Sequence, residues 1–121
     1  MQPFTRRILY IQAHQDHFLA RVLGGERTIR RQCHALGNEQ HPVTDFGKIR
    51  DCLKPLIKEL APGFSLLRPW ALLHFIPDLY PVTQPELAGF KKAAERSGVG
   101  FCFLSKWATP HTDKELIPLF Q

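Results

Sequence analysis

The sequence predicts an α/β fold: a five-stranded mixed sheet, begun as a three-stranded antiparallel meander and continued by parallel strands, with helices packed on it. Three observations carry this prediction. Apolar runs of strand length fill the first third of the chain and are separated by turn-forming residues. Two segments of helical periodicity follow, each succeeded by another apolar run. Strand–helix–strand alternation after a meander has few compact solutions, and right-handed crossovers onto the same sheet are the common one. At 121 residues, with 44% hydrophobic and 22% charged residues, the chain is expected to be a single domain over 1–121, its core spanning about 6–106.

Residues 6–13, Arg-Arg-Ile-Leu-Tyr-Ile-Gln-Ala, are expected as a mostly buried opening strand, with His14-Gln15-Asp16-His17 as the turn after it. Phe18 to Leu23 makes the second strand, closed by Gly24-Gly25. From Thr28 to Leu36, Ile29, Arg31, Cys33 and Ala35 alternate with Arg30, Gln32 and His34, which suggests a third strand whose arginines suit an exposed edge. After the loop Gly37 to Pro42, Phe46, Ile49, Leu53, Leu56, Ile57 and Leu60 fall at helical spacing, with Thr44 or Asp45 able to cap the start. Pro55 should kink this helix or force an irregular turn. Trp70 to Ile76 reads as a central strand buried on both faces.

Thr83-Gln84-Pro85-Glu86 is a capping box with proline at the first helical position. Leu87, Phe90, Ala93 and Ala94 form the inner stripe of the helix it opens, and Ser97-Gly98 ends it. Val99 to Leu104 is expected as a further buried strand, and Thr112-Asp113-Lys114-Glu115 opens a short final helix over 112–120. The predicted order is β-β-β-α-β-α-β-α.

Composition narrows the function classes. Sixteen Lys and Arg against eleven Asp and Glu give a formal charge of +5, which permits an acidic partner without requiring one. Cys33, Cys52 and Cys102 are odd in number and widely spaced, so reduced, buried thiols are expected rather than a disulfide framework or a zinc ribbon. The apolar run Ile8 to Ile11 is too short for a signal-peptide core, and nothing approaches the length of a membrane span, so a cytoplasmic location is expected.

The predicted order is the ribonuclease-H-like arrangement from which the lobes of actin-like ATPases are also built. Leu72-Leu73-His74-Phe75-Ile76-Pro77, then Thr83 and Glu86, then Lys91 to Gly98 and the strand from Val99 resemble the first lobe of the bacterial actin MreB in its strand–Pro–Thr–Glu–helix–Gly–strand pattern. Val43-Thr44-Asp45-Phe46 resembles the stretch leading into that lobe's first helix, and Ile8-Leu9-Tyr10-Ile11-Gln12 is similar to small YjaA-type bacterial proteins. The resemblance implies an actin-like half-domain whose second lobe is lacking. It also implies where nucleotide would bind. Actin-like ATPases carry Asp-x-Gly-Thr after the first strand, the Asp organising the metal and the Gly admitting phosphate. The aligned residues here are Gln12-Ala13-His14-Gln15, and Ser105-Lys106 stand where the family has acids beside the attacking water. The expectation is a degenerate lobe that is not an enzyme and takes no cofactor.

Other constellations carry less chemistry. A two-metal nuclease needs several carboxylates, and only Asp78 lies near the position. His14-x-x-His17, with His41 or Cys33, could be half of a metal site, but solvated turn histidines account for it more simply. Cys33 and His34, adjacent in a strand, would point to opposite faces, and Cys102 is expected in the core. Trp70 and Trp107 read as core or rim packing. Arg27, Arg30 and Arg31 are the candidate partner-contact residues, although arginines on an edge strand also simply deter stray pairing.

These features predict a non-catalytic binding or regulatory module whose partner is another protein, with a stress-associated role implied by the YjaA-type resemblance. The alternative is a weak nucleotide or nucleic-acid binder that uses the basic surface.

Overall fold

A computed structural model describes residues 7–36, 43, 45–62, 68–76, 84–105 and 111–120. Strands β1 (Ile8–His14), β2 (His17–Val22) and β3 (Thr28–Gln32) form the meander, and β4 (Trp70–Phe75) and β5 (Phe101–Ser105) extend the sheet on the other side of β1. The strand order is β3-β2-β1-β4-β5. β1 pairs antiparallel with β2 and parallel with β4, and β5 runs parallel to β4. Helices α1 (Phe46–Leu60) and α2 (Gln84–Arg96) lie between the later strands, and α3 (Asp113–Leu116) runs into a 3-10 turn over Ile117–Phe120. The architecture is the expected mixed sheet in the expected element order.

Local chemistry sets the boundaries, and several differ from expectation. β1 and β2 continue until His14 faces His17, which leaves a two-residue turn, Gln15-Asp16, in place of the four-residue one expected. Asp16 has φ 57°, the left-handed conformation that tight hairpins use and that Asp tolerates. β3 stops at Gln32 rather than Leu36, because Gln32 faces His17, the first residue of β2, and no partner strand lies beyond. Instead the Cys33 amide donates to the Asp16 carbonyl at 2.7 Å and the chain turns into a 3-10 segment, His34–Leu36. The opposite-face geometry expected of Cys33 and His34 in a strand therefore does not arise.

Asp45 caps α1, its carboxylate accepting from the Lys48 amide at 3.3 Å. The helix continues through Pro55, so the expected irregularity does not divide it. Pro55 lies on the exposed side, where water can serve the carbonyl that its missing N–H leaves without a donor. Thr83, the expected cap of α2, lies outside the described residues. Gly98 ends that segment with φ 122°, a backbone that favours glycine.

Both long helices cover the same face. Leu9, Ile11 and Ala13 of β1, with Ala71, Leu73 and Phe75 of β4, pack against Ile49, Leu53, Leu56 and Phe90. α1 and α2 approach closely at Gly89, where a Cβ would lie 2.6 Å from the Phe46 ring. The opposite face carries a small second cluster of Tyr10, Leu72 and Leu116, with Leu23 against it. β5 is not the buried strand expected. It is the sheet edge, with Cys102 turned to the core while Phe101 and Phe103 remain 40% and 38% exposed.

The cysteine expectation is also corrected. Cys33 and Cys52 are joined as a disulfide across 19 residues, and only Cys102 is a free, buried thiol. The bond ties the end of β3 to the middle of α1, two segments that the 3-10 turn brings together. Closing a loop of this size removes unfolded-state entropy worth roughly 3 kcal/mol. Reductant should therefore lower the midpoint of denaturant unfolding of the wild-type protein and leave that of Cys52→Ser unchanged. An unchanged wild-type midpoint would show that the thiols are not paired.

Candidate functional site

The parallel strands β1, β4 and β5 end at one edge of the sheet, the position where open α/β sheets place ligands. Gln12, His74 and Ser105 are in register there, one on each strand. Alternation along β1 directs Leu9, Ile11 and Ala13 to the helices and Tyr10 and Gln12 to the opposite, more open face.

A buried polar network occupies that face. Tyr10 and His74 are both fully buried, and the Tyr10 hydroxyl lies 2.6 Å from His74 Nδ1. The His111 backbone amide donates to the same hydroxyl at 2.8 Å, and His111 Nε2 lies 2.8 Å from Ser105 Oγ. The His74 and His111 rings are 4.5 Å apart. Burial raises the Tyr10 pKa, so the phenol keeps its proton, against the lowering effects of the His111 amide, Arg21 and Gln12.

Arg21 closes the network from β2. Its guanidinium lies 4.7 Å from the centre of the Tyr10 ring and donates to Asp113 Oδ1 from Nε at 2.9 Å and from Nη2 at 2.6 Å. Nη2 also donates to the His111 carbonyl at 3.2 Å, and the Gly24 amide donates to Asp113 Oδ2 at 2.8 Å. Burial opposes ionisation of Asp113, but the Gly24 amide and the Arg21 guanidinium outweigh it and hold the carboxyl below its ordinary range. At the start of α3, Thr112 and Glu115 form the expected capping box, and the Thr112 amide and hydroxyl likewise lower the Glu115 pKa. The described contacts thus fasten residues 111–116 as a strap across the open face.

The sequence candidates are distributed around this network rather than gathered by it. Gln12 Oε1 and His14 Nε2 are 2.7 Å apart, and the His14 and His17 rings stack at 4.7 Å. His17 is a half-buried stacked ring rather than the solvated turn residue expected. Cys33, a suggested metal ligand beside the histidines, is in the disulfide, and His41 lies outside the described residues. Among the described residues, no group of three His, Cys, Asp or Glu side chains could hold a metal ion. Cys102 packs in the core, where burial pushes its thiol up to about 12. Trp70 is half-buried and meets Phe103 edge-on at 5.9 Å. Asp78, Lys106 and Trp107 lie outside the described residues.

The three candidate arginines separate. Arg27 and Arg31 both pair with Glu59 of α1, at 2.8 and 2.7 Å. Arg30, opposite Leu19 on the other face of β3, is exposed.

No family model and no curated protein sequence matches the chain. Solved structures do match it. A non-polymerising mutant of MamK bound to AMPPNP superposes with a TM-score of 0.67 at 11% identity, over 84% of this chain and 41% of that one. MreB5 of Spiroplasma citri superposes with a TM-score of 0.61 in its AMPPNP-bound form, at 16% identity over 86% of this chain and 39% of that one. Its ADP-bound form gives the same score and coverage at 14% identity. The fold is that of an actin-like half-domain. At these identities the likeness is one of fold alone, and the chain spans about two-fifths of the neighbours' length.

Two consequences of the network are measurable. Tyr10→Phe removes the hydroxyl shared by His74 and the His111 amide, and leaving buried polar groups short of a partner costs about 1–3 kcal/mol; urea unfolding should show a loss of that size. Asp113 and Glu115 have folded pKa values below their unfolded ones, so their contribution is complete above the unfolded values of about 4 and disappears as pH falls through the folded values. Acidification should therefore release the strap, read as movement of the Leu116 methyl resonances, while Asp113→Asn should already show the released positions at neutral pH.

Proposed function

We propose that this chain is a non-catalytic binding module built on an actin-like half-domain, acting on another protein in a bacterial cytoplasm. The observation that best supports this is the chemistry after β1. The MreB-type resemblance puts a metal-organising carboxylate at Gln12 and a glycine at His14. Here the Gln12 amide and the His14 imidazole contact each other at 2.7 Å, and His14 stacks on His17. A neutral amide supplies no charge for a metal, and an imidazole fills the space in which glycine lets phosphate approach the backbone. Phosphoryl transfer depends on that positioning and charge stabilisation.

Contact through the β3 edge would run through Arg30, since Arg27 and Arg31 already hold Glu59. A stress-associated role extends the YjaA-type resemblance. In a reducing cytoplasm a Cys33–Cys52 bond would be a transient one, which fits a protein whose state follows thiol redox conditions. No described helix is long and apolar enough to cross a membrane.

The second reading, nucleotide or nucleic-acid binding, draws on the net charge of +5. It is less favoured because Arg21, Arg27, Arg31 and Lys91 are all engaged with carboxylates. Phosphate release from magnesium–ATP by the purified protein decides between catalysis and its absence. We expect release no faster than a protein-free blank; sustained turnover would contradict the proposal. Salt-sensitive binding of a short RNA would favour the second reading.

A further inference from the structure

The outer surface of α1 and α2 carries a groove of about 160 Å³. Phe46, Gly89 and Ala93 line it from below, and Arg50, Lys92 and Arg96 stand exposed around it. Among the described residues, no carboxylate lines it. We propose that this groove binds an acidic segment of a partner protein, with a glutamate or aspartate carboxylate held among the three cations and an adjacent apolar side chain laid on Phe46 and Ala93. The proposal rests on the binding-module reading above and gives it a site and a partner chemistry.

Charge placement carries the inference. Lys92 and Arg96 are four residues apart on one helical stripe, an arrangement of like charges that weakens a helix, and Arg50 adds a third cation from the facing helix. The acids nearby do not relieve it. Glu95 is turned to Lys91 at 2.8 Å, and Asp51 meets Arg50, its sequence neighbour, at 3.1 Å from an exposed position, so neither acid reaches Lys92 or Arg96 among the described contacts. No described ion pair engages Lys92 or Arg96. The other paired cations of the chain are held by carboxylates: Arg21 by Asp113, and Arg27 and Arg31 by Glu59. Lys92 and Arg96 therefore place unrelieved positive charge at the rim of this groove, where Arg50 adds a third cation shared with Asp51. The exposed Arg30, Lys48, Lys54, Lys58 and Lys114, also outside the described ion pairs, do not line it.

The shape selects among anions. A nucleic-acid backbone calls for a continuous basic track; Lys54 and Lys58 continue the Arg50 stripe along α1, but Arg21 and Arg31, neutralised on β2 and β3, do not extend it onto the sheet. A free nucleotide needs more volume than this groove has, since small-molecule sites run to about 300–1,000 Å³. A single carboxylate beside an apolar side chain fits a small basic pocket with an aromatic base, and arginine can engage it through two parallel hydrogen bonds. Gly89 sets the close helix crossing that forms the groove, because a Cβ there would meet the Phe46 ring.

The test uses a fluorescently labelled synthetic peptide alternating glutamate and leucine, titrated against the full chain by anisotropy, with amide chemical shifts mapping the contact. Binding should weaken as salt rises, with shifts at Gly47, Arg50, Gly89 and Lys92. Lys92→Glu with Arg96→Glu should weaken binding at least tenfold, Lys92→Ala with Arg96→Ala should weaken it less, and Lys114→Glu, away from the groove, should leave it unchanged. All the substituted residues are exposed, and circular dichroism confirms that each variant is folded. Undetectable peptide binding, equal binding by the charge-reversed variant, or tighter binding of a single-stranded oligonucleotide of the same charge would each overturn the proposal. ATP turnover would overturn the non-catalytic reading and would leave these peptide results as they stand.

Discussion

Strand β1 lies between β2 and β4, so both of its edges are paired, and its two faces are buried in different ways. Toward α1 and α2 the solution is apolar, with Leu9, Ile11 and Ala13 packed among helix side chains. On the other face Tyr10 is fully buried with a hydroxyl that must find partners. Those partners are His74 on the neighbouring strand and the His111 amide, 101 residues away in sequence. This bond draws the strap over the sheet, Arg21 and Asp113 fix its position, and Leu116 then covers Tyr10 and Leu72. The phenol hydroxyl thus joins three separate parts of the chain on the open face: β1, β4 and the strap.

The consequence reaches the ends of the strands. His74 and Ser105, which stand in register with Gln12, have polar atoms directed to Tyr10 and His111, while Gln12 itself is held by His14. In the proposed function these side chains serve the fold rather than a ligand, and recognition moves to the outside of the molecule. The helix face and the β3 edge differ in this respect. At the edge Glu59 neutralises two of the three arginines, whereas Lys92 and Arg96 of α2 are in no described ion pair.

Much of the fold was legible in the sequence because its signals are local. Asp45 and the box at Thr112–Glu115 announce helix starts through groups only three residues apart. The periodicity of α1 marks Ile49, Leu53, Leu56 and Leu60 for burial, and all four are buried. What sequence could not supply was the extent of partners. The alternation through Cys33 and Ala35 continues past the end of β2, so β3 looked longer than its neighbour allows. The run in β5 is as apolar as that in β4, and only the strand order shows that β5 lies at an edge. The disulfide follows from the 3-10 turn that replaces the end of β3, which no spacing rule announces. The polar network left one faint signal: Tyr10 and His74 interrupt otherwise apolar strands, and a polar atom in such a place requires a partner.

The account stands most directly on the state of the strand ends when nucleotide is offered. A crystal structure of the protein grown with magnesium and AMPPNP at millimolar concentration examines that state without relying on turnover. The account predicts the Tyr10–His74–His111 bonds intact and no nucleotide beside Gln12. Electron density for a triphosphate lodged against Gln12 and His14, with the histidine ring displaced, would contradict it.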